Sequence, residues 1–90
     1  MTVSATVEIV NERGLHARAS AKFVKLAGQF DAEVRVTKDD QTVDALSIMG
    51  LMMLAAGPGA TIEITSQGRQ AKEALEALVR LVSSRFEEDR

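Results

Sequence analysis

His16 is the only histidine in the chain. It stands where the turn-forming run Asn11-Glu12-Arg13-Gly14 gives way to the helical spacing of Ala19, Phe23 and Ala27. An imidazole is largely neutral near pH 7, so one ring nitrogen keeps a lone pair able to attack phosphorus. A helix entrance presents unpaired N–H groups and a partial positive charge, which disfavour an imidazolium and attract an anion. Arg18 follows two residues later. Inside a regular helix that spacing separates the side chains, but with His16 in the cap the guanidinium comes within reach of a phosphoryl group on the ring. A plainer role fits the same residues: a polar helix cap beside a solvated arginine. Position alone does not choose between the two.

Ser47 is the second residue of interest. It precedes the apolar run Ile48, Met49, Leu51, Met52, Met53, Leu54, and its hydroxyl suits the free backbone donors of a helix starting there. Gly57-Pro58-Gly59 lacks the spaced glycines and the lysine of a nucleotide-binding loop and reads as the turn that ends this helix.

The elements around these residues follow from periodicity. Val3, Ala5, Val7 and Ile9 alternate with polar residues as in a strand with one wet face. A helix runs from near His16 to Gly28, a residue able to take a left-handed terminating conformation. Val34 and Val36 begin a hairpin that turns at Lys38-Asp39-Asp40-Gln41 and returns around Thr42-Val43-Asp44. Ala60 to Thr65 alternates again, with Ile62 and Ile64 inward, before a turn at Ser66-Gln67-Gly68. Ala71, Leu75, Leu78, Val82 and Phe86 then mark the clearest helix, with Lys72–Glu76 and Glu76–Arg80 as four-apart pairs on its outer face. The order βαββαβα predicts an α+β fold, a single mainly antiparallel sheet with three helices on one face.

With 90 residues, the chain reads as one domain, residues 1–90, with a single modest core. A net charge of −2 with interspersed signs argues against a nucleic-acid binder, which needs a basic face. The absence of cysteine excludes a disulfide framework and a thiolate zinc site. No apolar stretch is long enough to span a bilayer, and the N-terminus lacks a signal-peptide pattern, so a soluble cytoplasmic protein is expected. No metal or cofactor is expected.

The segment Gly14-Leu15-His16-Ala17-Arg18-Ala19-Ser20 resembles the active-site motif of HPr, the phosphocarrier of the phosphoenolpyruvate-dependent phosphotransferase system. Ser47-Ile48-Met49-Gly50 is similar to that family's regulatory serine motif, and the order of elements and the distance between the motifs also fit. The resemblance implies an open-faced β-sandwich. It implies phosphorylation of His16, with Arg18 holding the phosphoryl group, and marking of Ser47 by HPr kinase/phosphorylase with ATP. It implies Enzyme I as donor, Enzyme IIA-type proteins as acceptors and a monomeric carrier without turnover of its own. Both segments look similar to versions in the nitrogen-related branch of some proteobacteria. One departure is Ala19, where many HPr proteins carry proline; either residue suits a first helical turn.

By likeness to the family's docking surface, Ala21 and Lys25 together with Met49 and Met52 would form the partner-binding patch, methionine being adaptable to several partners. Two rivals remain beside the carrier. A regulatory binding module would have no use for the histidine, which is retained here. A hydrolase with His16 as general base would need a serine and an aspartate in register, and no spacing selects them.

Overall fold

Three stretches of alternating residues and one short polar return strand pair into one sheet: β1 (Thr2–Glu8), β2 (Glu33–Lys38), β3 (Gln41–Asp44) and β4 (Thr61–Gln67). The structure is a computed structural model describing residues 1–90. The strands lie in the order β1-β4-β2-β3 and every pairing is antiparallel. β4 is therefore central; Ile64 faces Ala5 on one side and Val36 on the other. The opposite face of the sheet carries Thr2, Ser4, Thr6, Glu8, Thr61 and Glu63, all exposed.

Three helices supply the second layer: α1 (Ala17–Ala27), α2 (Ile48–Met53) and α3 (Ala71–Ser83). α3 packs over β1 and β4, and α1 lies against both α3 and α2. Residues three and four apart fall on one side of a helix. Ala19, Phe23 and Ala27 of α1 and Ala71, Ala74, Leu78 and Val82 of α3 accordingly point inward. Phe23, Leu78 and Val82 join Leu51, Ile62, Ile64 and Phe86 in a single apolar core. Each large side chain so buried stabilises the fold by roughly 1.5–3 kcal/mol.

Several boundaries differ from the sequence reading. Gly28 ends α1 in a right-handed conformation, φ −68°. The last carbonyls are taken by successive tight turns, Gln29 N–H to Leu26 O and Phe30 N–H to Ala27 O, so no left-handed residue is needed. α2 ends at Met53 with Leu54 as its C-cap, before Gly57-Pro58-Gly59, because Ala55 takes the left-handed position with φ 52°. β4 continues through Ser66 and Gln67, which the ladders to β1 and β2 hold extended. Lys72, Glu76 and Arg80 form no ion pair with one another; exposed pairs of this kind contribute little and do not hold long side chains in place. Phe86 is buried, but α3 has already ended at Ser83.

One loop contact sets where the chain enters α1. Gly14 has φ 64°, and a Cβ there would lie 2.2 Å from the Ala56 carbonyl oxygen. The next residue, Leu15, donates its N–H to that same oxygen at 2.9 Å. Buried Ser20 donates its hydroxyl back to the Leu15 carbonyl at 3.2 Å. The loop before α1 is thus fastened to the loop after α2, and only glycine permits the approach. Gly14→Ala combines a left-handed penalty with a backbone collision and is expected to cost about 2–4 kcal/mol. Urea unfolding of the two proteins measures this directly.

Candidate functional site

His16 occupies the N-cap position of α1 with an extended backbone, φ −74° and ψ −179°. Its carbonyl accepts the N–H of Ser20 at 2.9 Å, but its ring makes no capping hydrogen bond. The plainer role of a polar side-chain cap is therefore excluded. Ring Nε2 instead lies 2.6 Å from Oε2 of Glu88. An ionised carboxylate only accepts hydrogen bonds, so Nε2 carries a proton in this contact, and in the neutral ring the lone pair is then on Nδ1.

Glu88 reaches His16 through an unusual piece of backbone. Arg85, Phe86 and Glu87 all have positive φ, 60°, 53° and 63°, forming a single left-handed turn. A left-handed residue with a side chain costs about 1–2 kcal/mol, and runs of them are rare. Burial of Phe86 and a 2.7 Å hydrogen bond from Lys22 Nζ to the Phe86 carbonyl offset that strain. Beyond the turn, Glu88 Oε1 accepts from Asn11 Nδ2 at 3.1 Å. The same amide nitrogen donates to Gly14 O at 2.9 Å, so Asn11, itself fully buried, ties the tail to the His16 loop. Partial burial pushes the Glu88 carboxyl up. The hydrogen bonds from His16 and Asn11, with the charges of His16 and Lys22, outweigh this and hold it below its ordinary value.

Arg18 is exposed, makes no ion pair, and shares with His16 an entirely polar cleft of about 500 Å³. Glu12, Arg13, Glu88, Asp89 and Arg90 complete its lining. His16 and Arg18 thus face one space, as the sequence anticipates, although neither touches the other through a hydrogen bond. Ser47 caps α2, its Oγ accepting the Gly50 N–H at 2.9 Å. A Cβ at Gly50 would stand 3.0 Å from that oxygen, so glycine leaves the cap its room.

Of the patch residues, Ala21 and Lys25 are exposed on α1, and Met49 and Met52 are 69% and 39% exposed on the adjoining α2. Sequence reasoning misses Leu46, Ile48 and Met53, which extend this apolar surface. Met52 and His16 border one shallow depression with Leu15 and Ala55, so the surface begins beside the ring. Asn11 and Glu88 escape it as well. The acidic run Glu87-Glu88-Asp89 is visible in the sequence, but nothing there says that it returns to His16. No three histidine or acidic side chains converge as a metal site, and no helix is long and apolar enough to cross a membrane.

Because the Glu88 carboxyl is held low in the folded state, its contribution to stability is complete above the unfolded value and lost as pH falls through the folded one. Wild type is expected to exceed Glu88→Gln by about 1 kcal/mol at pH 7. The difference should shrink as pH falls below the ordinary carboxylate range and vanish once pH has passed below the lowered folded value. Urea titrations at stepped pH check both the size and the window.

Comparison with known proteins identifies the family and the fold. The family model described as "PTS HPr component phosphorylation site" matches residues 3–84. Phosphocarrier protein HPr of Neisseria meningitidis is 52% identical over 83 residues, 92% of this chain and 93% of that protein. Phosphocarrier protein NPr of Escherichia coli K12 is 44% identical over 90 residues, 99% and 100% of the two chains. The crystal structure of HPr-C-His from Thermoanaerobacter tengcongensis superposes with a TM-score of 0.93 at 41% identity, covering 98% of this chain and 99% of that one. The matched span, the relatives and the shared fold together establish that the chain belongs to the HPr family of phosphocarrier proteins of the phosphotransferase system.

Proposed function

We propose that this protein carries a phosphoryl group on Nδ1 of His16, taking it from phosphorylated Enzyme I and passing it to an acceptor of the Enzyme IIA type. The observation that supports this reading is the His16 ring itself. It is held by Nε2 and spared from capping, and it shares its polar cleft with the unpaired guanidinium of Arg18. Arg18 is suited to the phosphoryl oxygens, since a guanidinium offers a planar fork of donors without needing to deprotonate. No substrate pocket need close around the ring, because donor and acceptor each bring their own site; residues 1–90 then act as one monomeric, cytoplasmic carrier domain rather than as an enzyme.

The apolar surface of Leu46, Ile48, Met49, Met52 and Met53, with Ala21 and Lys25 beside it, is the docking face in this reading. Ser47 lies within it, and HPr kinase/phosphorylase would act there. A phosphate on Ser47 adds charge to a surface that partners must desolvate, so regulation works through docking rather than unfolding. Relatives named HPr and NPr both match, and a place in the nitrogen-related branch rests on the Gly14–Ser20 and Ser47–Gly50 segments.

Incubation with Enzyme I and phosphoenolpyruvate is expected to give an acid-labile label that His16→Ala abolishes. Arg18→Ala should slow transfer by about tenfold or more, the loss of one charge-assisted contact. A folded, unlabelled wild type would sink the carrier reading. Treatment with HPr kinase and ATP should give an acid-stable label absent from Ser47→Ala, and the modified protein should accept from Enzyme I at least about tenfold more slowly. Undiminished transfer by the modified protein removes the regulatory part alone.

A further inference from the structure

We propose that Glu88 is a positioning residue that keeps a proton on Nε2 of His16 through the whole phosphoryl cycle, so that the phosphorylated ring stays cationic and releases its phosphoryl group readily. The inference rests on the carrier reading and deepens it. Three observations carry it: the 2.6 Å contact between Nε2 and Oε2, the bond from Asn11 to the other carboxylate oxygen, and the left-handed turn that delivers Glu88.

The tail is not a loose lid over the ring. Phe86, two residues before Glu88, has no exposed surface, and Lys22 holds its carbonyl. Such a run of strained backbone persists only where the surroundings over-determine it, and strain of this kind concentrates where geometry serves function. What the strain delivers is one carboxylate, side chain 15% exposed, against one ring nitrogen.

In the first half-reaction the Nδ1 lone pair forms a bond to phosphorus while the bond from phosphorus to the donor atom breaks, its electron pair staying with the donor. The ring gains a positive charge, which Glu88 opposes, and no proton leaves. In the second, the acceptor's nucleophile bonds to phosphorus and the N–P pair returns to Nδ1. The ring is then neutral, with its Nε2 proton still hydrogen-bonded to Glu88. Without the carboxylate the phosphorylated ring would lose that proton more easily, and its leaving group would become an imidazolide, far poorer than neutral imidazole. The arrangement has the logic of a carboxylate that orients and stabilises a catalytic imidazole.

Other charges face the ring: Glu12 and Arg13 from the preceding loop, Arg18 from α1, and Asp89 and Arg90 from the tail, with Lys22 of α1 facing Glu88. Only Glu88 hydrogen-bonds Nε2.

The test uses potassium phosphoramidate, which phosphorylates histidine without any partner protein. Wild type, Glu88→Gln and Glu88→Ala are phosphorylated, the modified nitrogen is identified by NMR, and loss of the group is followed from pH 5 to pH 9. Glu88→Gln keeps the size and an accepting oxygen but not the charge. The wild type should carry the group on Nδ1. At pH 8 both variants should lose it roughly five- to tenfold more slowly than wild type, the worth of one charge-assisted hydrogen bond at a partly exposed site. Near pH 5, where solvent protonates the ring in all three, the rates should converge. Asp40→Asn, the same charge change on the β2–β3 turn, should follow wild type. Superimposed profiles for wild type and Glu88→Gln, attachment at Nε2 in wild type, or a ring that takes no group would each overturn the proposal. Failure of the carrier reading would show separately, as a protein that phosphoramidate modifies but Enzyme I does not.

Discussion

The approach of Gly14 to the Ala56 carbonyl is the constraint on which the rest of the site depends. It joins the loop entering α1 to the loop leaving α2, and Leu15 seals the join with a hydrogen bond to the same oxygen. Everything that matters chemically hangs from it. His16 takes the N-cap position of α1 two residues later, Asn11 reaches across to Gly14 and Glu88, and α2 gives way to the left-handed Ala55. A side chain on a surface loop would ordinarily wander; here the backbone on both sides of His16 is pinned.

Around that fixed point the charges are mixed. Glu88 and Asn11 hold the Nε2 edge of the ring, and Arg18 lines the same polar cleft as His16 and Glu88. In the proposed carrier reading a phosphoryl group on Nδ1 would be separated from the carboxylate by the ring, with the Arg18 guanidinium as a second positive charge nearby. This suits a carrier, which must hold its cargo firmly enough to travel and weakly enough to give it up.

The layered fold was legible because strand and helix periods are written into Val3–Ile9, Val34–Val36, Ile62–Ile64 and Ala71–Val82, and packing obeyed them. The placement of His16 and Ser47 at helix entrances was legible for a different reason: turn residues and cap residues announce such entrances locally. What escaped was non-local or locally disfavoured. Gly28 looked like a left-handed stop, yet tight turns ended α1 without one, while Ala55, a residue with no such preference, took that role for α2. Phe86 fitted the spacing of α3 but reaches the core by a left-handed turn after the helix has ended. Propensity argues against three such residues in succession, and burial of the phenyl ring and the bond from Lys22, sixty-four residues away, help to offset it. Glu88 is seventy-two residues from His16, a pairing that no spacing rule connects.

The uncovered face of the sheet gives the molecule a second character. Ser4 and Thr6 on β1 and Glu63 on β4 point away from every helix, and the chain contains no cysteine. A thiol introduced at Thr6 would be unique in the protein and separated by the sheet from His16 and the apolar helical surface. The working half of the molecule can therefore be watched from its blank half: a dye or spin label on β1 would report a partner's arrival without standing in its way.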